Sequence, residues 1–119
     1  MVGFKVVSSD VTDIELHEDF ENEINNIAFS SSCFHAANDK KNVRAVIDVT
    51  LLISKRFRFT FKYNMYFRLD HEVDEAELVT LMDNIGLHKL AYPYIRSYAM
   101  SILSLSGFNE LNLPMIPKF

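Results

Sequence analysis

The sequence has no tryptophan, a single cysteine, three glycines and three prolines. With only one thiol, Cys33, the chain cannot form an internal disulfide, which is typical of a protein from a reducing cytoplasm. So little glycine and proline argues against a loop-rich or low-complexity chain. No apolar run approaches the roughly 20 residues that a membrane-spanning helix needs, and the N-terminus has no apolar segment of a signal peptide. We therefore expect one globular, cytoplasmic domain over residues 1–119 without membrane insertion.

The charges and histidines indicate no nucleic-acid, metal, cofactor or catalytic site. The net charge is −4, which does not favour binding to nucleic acid. The cations of residues 56–68 all lie on one face of a predicted strand, where charged side chains normally face solvent and protect the sheet edge. The four histidines follow no spacing that is typical of metal ligands, and Cys33 is interpreted as a small buried residue rather than a nucleophile. The sequence thus predicts neither an enzyme nor a nucleic-acid-binding protein.

Hydrophobic residues alternate along four segments, which predicts four strands at 4–17, 24–36, 43–53 and 56–68. The first pattern weakens in the middle, so we expect a bulge or bend near Asp10. The fourth is the cleanest, because every second residue from Phe57 to Phe67 is apolar and predicts a buried face. Ser54 and Lys55 leave room only for a short turn, so the third and fourth strands should form an antiparallel hairpin.

The period changes to that of helices after Asp70. A first helix should follow Asp74 and end at Gly86, and a longer one should span about 87–106, with Gly107 after its last turn. Pro93 lies within the longer pattern, so either the regular helix begins near Tyr92 or it is kinked there. The sequence predicts an α+β fold: a four-stranded antiparallel sheet followed by a long C-terminal helix packed on one face.

A motif in the last third of the chain resembles the SecB family of export chaperones. The matching residues of the motif are Leu90, Tyr92, Pro93, Tyr94 and Arg96, then Gly107, Phe108, Leu111, Asn112, Leu113, Pro114 and Phe119. The resemblance implies a homotetramer, built as a dimer of dimers, whose apolar grooves hold unfolded or partly folded polypeptides without ATP. It also implies architectural roles in the helix and the crossover for Pro93, Tyr94, Arg96, Gly107 and Pro114.

The sequence also departs from the family, because it stops at Phe119. It is similar to a shortened member that lacks the last helix and the zinc-binding tail through which the family meets the SecA motor. Asp13 lies near an acidic position that contacts SecA in the family, whereas His17 stands where another acid is expected. The resemblance therefore favours the holding of a polypeptide over its delivery for protein export.

We expect the client contacts to come from apolar residues of the strands and the tail: Phe29, Tyr66, Leu111, Leu113, Met115 and Ile116. The tail could instead pack along the domain, and the acidic residues of 18–23 could form either a solvated loop or a docking surface. Two other functions stay open. One is a dedicated chaperone for a single client, such as the antitoxin of a toxin–antitoxin module, and the other is a small-molecule-binding domain.

Overall fold

A computed structural model describes residues 3–107 of the chain, and these form four strands followed by two helices. The strands are β1 (Phe4–Glu18), β2 (Asn26–His35), β3 (Asn42–Ile53) and β4 (Phe57–Leu69). The helices are α1 (Glu75–Ile85) and α2 (Leu87–Leu105). The order of elements predicted from the sequence is confirmed, and every strand lies within about two residues of its predicted range. No helix in the described range is long and apolar enough to cross a membrane.

The four strands form one antiparallel sheet in the order β1-β4-β3-β2. The predicted hairpin of β3 and β4 lies at its centre, and the first two strands of the sequence occupy its two edges. The connection between them therefore crosses the end of the hairpin, where the Asp19 N–H donates to the Arg56 carbonyl at 3.1 Å. The Lys55 N–H in turn donates to the Asn22 carbonyl at 2.7 Å.

One face of the sheet, the inner face, carries the apolar stripes of β3 and β4. Its β4 residues are all buried, and Phe57 and Phe59 are fully covered. The register places them across β3 from buried residues, as in the pairs Val49 with Phe61 and Ala45 with Met65. Since burying one large apolar side chain stabilises a fold by about 1.5–3 kcal/mol, this stripe dominates the stability of the sheet.

The edge strand β1 is irregular, as its sequence predicts, but the irregularity does not lie at Asp10. Asp10 pairs in register with Asn64, and two register shifts flank it, one between Val6 and Ser8 and one between Thr12 and Glu15. Asp13 in the second shift has a φ of 54°, the left-handed conformation that is unusual for a residue with a side chain. The expected bulge near Asp10 is thus corrected to two, which twist the exposed edge.

The helices begin and end where local chemistry favours it. Asp74 caps α1, because its Oδ1 accepts the Glu77 N–H at 2.7 Å, and Gly86 ends this helix in a left-handed turn with φ 66°. After α2 the Gly107 N–H donates to the Ser104 carbonyl at 3.1 Å, and the φ of 95° confirms its place as the residue that follows the helix.

Pro93 lies seven residues into α2, which runs without interruption from Leu87. The predicted span of about 87–106 is therefore confirmed, and of the two alternatives for Pro93 a start of the regular helix near Tyr92 is ruled out. The pyrrolidine ring removes the hydrogen bond that residue 93 would donate, but the helix on either side is long enough to continue through that loss.

The chain divides after Leu81 into two compact units, of which the first contains the sheet. In the second, α2 buries one stripe of side chains at helical spacing, comprising Leu87, Ala91, Tyr92, Ile95, Ala99 and Leu103.

Candidate polypeptide-binding groove

The face of the sheet opposite the buried stripes, here called the outer face, is polar over most of its area. Lys62, Asp48 and Thr50 lie on it, as the alternation of β3 and β4 predicts. At the end of the sheet where β3 begins and β4 ends, two aromatic side chains, Phe34 and Tyr66, lie on it beside Arg44. This end of the outer face holds the candidate site.

An open groove of about 560 Å³ lies at this end of the sheet. All four strands contribute to it. Its lining comprises Val7, Ser8, Phe34, His35, Ala36, Asn42, Val43, Arg44, Tyr66 and Phe67. The lining residues are thus mainly apolar or aromatic, as is typical of sites that bind apolar ligands.

The strand register explains how distant parts of the sequence meet in the groove. Ser8 pairs with Tyr66, Tyr66 with Arg44, and Arg44 with Phe34. These four residues therefore form one row that crosses the sheet from edge to edge. Adjacent side chains of the row stand about 5 Å apart, because that is the distance between neighbouring strands.

The aromatic side chains of the row are partly open to solvent. Phe34 is 48% exposed on the edge strand β2, and Val7 at the opposite edge is 61% exposed. Tyr66 is half-buried between them, and its hydroxyl donates to Asp10 Oδ2 at 3.3 Å. Exposed apolar area of this kind stabilises a complex when a second apolar surface covers it.

A polar cluster beside the groove fixes β1 to β4. Asn64 is buried, and its amide donates to Asp10 Oδ1 at 2.8 Å and to Thr12 Oγ1 at 3.2 Å. Because a buried amide is costly without partners, these bonds hold β1 in register between its two shifts. The position of Tyr66, whose hydroxyl shares Asp10 with the amide, is thereby fixed as well.

Cations near the groove differ in their surroundings. The Arg68 guanidinium contacts Asp39 Oδ2 at 2.6 Å and Asn42 Oδ1 at 2.9 Å. This bond from Arg68, with a second from the Lys41 backbone N–H, lowers the pKa of Asp39 below its ordinary value. The Arg44 guanidinium instead lies 5.4 Å above the centre of the Phe34 ring, within reach of a cation–π interaction.

His35 lines the groove, but it pairs with Val43, whose buried side chain lies on the inner face. Its Nε2 is shielded from solvent and has no hydrogen-bond partner among residues 3–107. Because this nitrogen is shielded from solvent, it is not a group that the open groove presents to a bound molecule.

Comparison with solved structures identifies the fold. A SecB-like chaperone of Mycobacterium tuberculosis, Rv1957, was solved in complex with a ChAD peptide from the Rv1956 HigA1 antitoxin, and it superposes on this chain with a TM-score of 0.77. The likeness covers 95% of this chain and 90% of that chain at 14% sequence identity. The chain has the fold of a SecB-like chaperone. No protein-family model and no curated protein matches the sequence significantly, so the likeness lies in the arrangement of strands and helices.

Within this SecB-like fold, the two client-contact candidates on the strands occupy different places. Tyr66 lines the groove. Phe29 is half-buried on the inner face of β2, opposite Val49, and does not line the groove. The remaining candidates, Leu111, Leu113, Met115 and Ile116, lie outside the described residues, as does the architectural candidate Pro114.

Sequence reasoning did not single out Phe34 and Arg44, although both line the groove. The alternation of β2 places Phe34 on the face opposite Phe29, and an exposed Phe in a strand is a signal that could have found it. Arg44 was indistinguishable from an ordinary solvated cation, because its contact with the Phe34 ring depends on the register of β2 with β3.

The other predicted residues are not among those that line the groove. Asp13, the candidate for a partner contact, is exposed in the second register shift of β1, where its carboxylate lies 3.7 Å from Lys62 Nζ. Tyr94 is exposed on α2 and Arg96 is half-buried there. In the described part of the chain, no three His, Cys, Asp or Glu side chains come together as a metal site would need.

Proposed function

We propose that this protein is an ATP-independent holdase of the SecB type, which binds unfolded or partly folded polypeptides and catalyses no reaction. The observation that carries the proposal is the open, aromatic groove on the outer face of a SecB-like sheet. Apolar side chains of a client would cover Phe34, Val7 and Tyr66, and burial of this area would hold the client away from other unfolded chains.

Client contacts beyond the groove are also part of the proposal. We assign them to Phe29 and to the tail residues Leu111, Leu113, Met115 and Ile116. Pro93, Tyr94, Arg96, Gly107 and Pro114 are proposed to shape the helix and the crossover, within a single domain over residues 1–119. The protein would act in the cytoplasm, and Asp13 is the residue proposed to meet a partner such as SecA if the protein serves protein export.

A homotetramer, built as a dimer of dimers, is the proposed assembly. The edge strand β1 supports it, because Phe4, Val6 and Ile14 are large apolar residues that are 39–48% exposed on an unpaired strand edge. An exposed edge of this kind favours pairing with another strand. Four copies of the 13.8 kDa chain would have a mass of about 55 kDa in sedimentation equilibrium. A strict monomer at micromolar concentration would contradict the assembly.

Suppression of aggregation tests the holdase proposal. A slow-folding client is diluted from denaturant with and without this protein, and light scattering is followed. The wild-type protein should suppress scattering at molar excess, and the double variant Phe34→Ala/Tyr66→Ala should suppress it less. Arg58→Gln, which changes an exposed residue at the far end of the outer face, is the matched control. No suppression by the wild-type protein would count against the proposal.

A second candidate is a dedicated chaperone of one antitoxin. The similar Mycobacterium tuberculosis chaperone was solved with an antitoxin peptide, which favours this candidate over a small-molecule-binding domain. Affinity capture from lysate of the source organism, followed by mass spectrometry, separates the two. A dedicated chaperone should retain one protein in stoichiometric amount, and a general holdase should retain many in small amounts.

A further inference from the structure

Among the residues that the structure describes, Arg44 is the only Arg or Lys that lines the groove, and no Asp or Glu lines it. Two other cations of the outer face have acidic partners, since Lys62 contacts Asp13 and Arg68 contacts Asp39. Arg44 forms no ion pair with any residue from 3 to 107. The groove therefore presents one positive charge beside apolar and aromatic surface.

One carboxylate on the same face is already engaged. Asp10 accepts hydrogen bonds from the Asn64 amide at 2.8 Å and from the Tyr66 hydroxyl at 3.3 Å. These bonds hold both of its oxygens on the β1 side of Tyr66, whereas Arg44 leans to the opposite side, over Phe34. The internal hydrogen bonds thus keep Asp10 from neutralising Arg44.

The contact with Phe34 also prepares Arg44 for a ligand. A guanidinium stacked on an aromatic ring keeps the donors at its edges available and loses less side-chain entropy when it binds a carboxylate. Covering the groove with a client would exclude water around Arg44 and strengthen its attraction for an opposite charge.

We propose that the groove selects client segments in which an acidic residue stands two positions from a large apolar residue. The inference rests on the proposed holdase function and names its preferred sequence. In an extended chain, residues i and i+2 point to the same side and lie about 7 Å apart. The groove residues Tyr66, Arg44 and Phe34 stand on adjacent strands, roughly 5 Å apart. Long side chains can bridge the difference between these two spacings, so the apolar side chain of the client covers Tyr66 or Phe34 while its carboxylate reaches Arg44. An acidic residue at i+1 would point away from the sheet.

Three fluorescently labelled ten-residue peptides test this preference by anisotropy. The first has Phe at one position and Asp two positions later, in a background of Ser, Ala and Leu. The second has the same composition with Asp one position after Phe, and the third has Asn in place of Asp. We expect the first peptide to bind the wild-type protein about threefold more tightly than the other two, as suits one partly exposed ion pair. Raising the salt concentration should reduce the difference.

Variants of the full chain then assign the preference to Arg44. Arg44→Gln should bind all three peptides with equal affinity, and Arg44→Lys should keep part of the preference because the charge remains without the planar fork. Arg58→Gln is the matched control, since it removes one cation from the same face, eight residues before Tyr66 on β4, and should leave the preference intact.

Each other outcome overturns the inference. Equal binding of the three peptides by the wild-type protein, with aggregation still suppressed, would refute the acidic preference and leave the holdase proposal standing. Failure of every peptide to bind, together with no suppression of aggregation, would refute the holdase proposal itself. A preference that survives Arg44→Gln, or disappears equally in Arg58→Gln, would show general charge attraction. A change in assembly mass on Arg44→Gln would show that a second copy of this chain occupies the groove.

Discussion

Two phenylalanines on opposite faces of the sheet should differ in what is lost when they are replaced by alanine. Phe59→Ala should mainly lower the stability of the fold, whereas Phe34→Ala should mainly weaken the binding of a client. Phe59 on the inner face is 0% exposed, and Phe34 on the outer face is 48% exposed. Complete burial of a Phe side chain contributes about 1.5–3 kcal/mol, and the cavity left in a closed core raises the cost of Phe→Ala to about 3–5 kcal/mol. Phe34→Ala loses about half of the transfer contribution and leaves no closed cavity, so its cost should be about 1 kcal/mol.

Urea unfolding followed by far-ultraviolet circular dichroism measures both effects, since the chain has no tryptophan to report by fluorescence. With a slope of about 1.5 kcal/mol per molar urea, Phe59→Ala should lower the midpoint by about 2–3 M and Phe34→Ala by less than about 1 M. The protomer concentration is held constant, because an assembly adds a concentration-dependent contribution to stability. Phe59→Leu, with a smaller cavity, provides a milder variant if Phe59→Ala does not fold.

Binding should follow the reverse order. Phe34→Ala should weaken binding of the Phe–Asp peptide, whereas Phe59→Leu, which does not line the groove, should leave it unchanged once the protein is folded. The assignment of the two faces would be refuted if Phe59→Ala cost less than about 1 kcal/mol, or if Phe34→Ala lowered stability as much as Phe59→Ala.

Three further variants test particular contacts by the same unfolding assay. Asn64→Leu should lower the free energy of unfolding by about 1–3 kcal/mol, because Asp10 loses the amide that it accepts from; little change would refute that role. Lys55→Gly should raise it by about 0.5–1 kcal/mol, because Lys55 has a φ of 56° in the turn before β4, and a loss would show that this turn is unstrained. The pKa of Asp39 lies below its ordinary value, mainly because its carboxylate accepts a hydrogen bond from Arg68. The contribution of Asp39 to the stability of the fold is therefore complete above pH about 4 and is lost as the pH falls through the lowered pKa. Between pH 5 and the lowest pH at which the protein still folds, Asp39→Asn should therefore lose less stability than the wild-type protein. An equal dependence of the free energy of unfolding on pH in both proteins would contradict the Arg68 contact.

The central hairpin could be read from the sequence because its signal is local. The period of two in β3 and β4 shows directly which residues are buried, and each strand is long enough for the pattern to be unambiguous. The helix bounds were predictable for the same reason, through Asp74 and Gly107. Pro93 left two alternatives open for α2, and the continuous helix from Leu87 rules out a start near Tyr92.

The groove could not be read in this way, because it depends on register. Ser8, Tyr66, Arg44 and Phe34 come from four strands, and only the pairing of β1 with β4 and of β2 with β3 brings them into one row. The two shifts in β1 are likewise imposed by its pairing with β4, whose sequence lies far from it. Alternation also placed Asn64 on the wet face, where the hydrogen bonds that its amide donates to Asp10 and Thr12 of β1 allow it to be buried.

The strand order has a consequence for how the chain is made. Because β1 is an edge strand next to β4, Phe4 pairs with Leu69 and Glu18 pairs with Phe57. Neither end of β1 can join the sheet until these partners have been synthesised. At about 5–20 residues per second, the ribosome needs several seconds to supply these partners. The hairpin of β3 and β4 joins neighbours and can close as soon as it emerges, but β1, with Phe4, Val6 and Ile14 along its length, stays unpaired until then. During its own synthesis this protein therefore exposes the same kind of extended, apolar segment that we propose it holds in others.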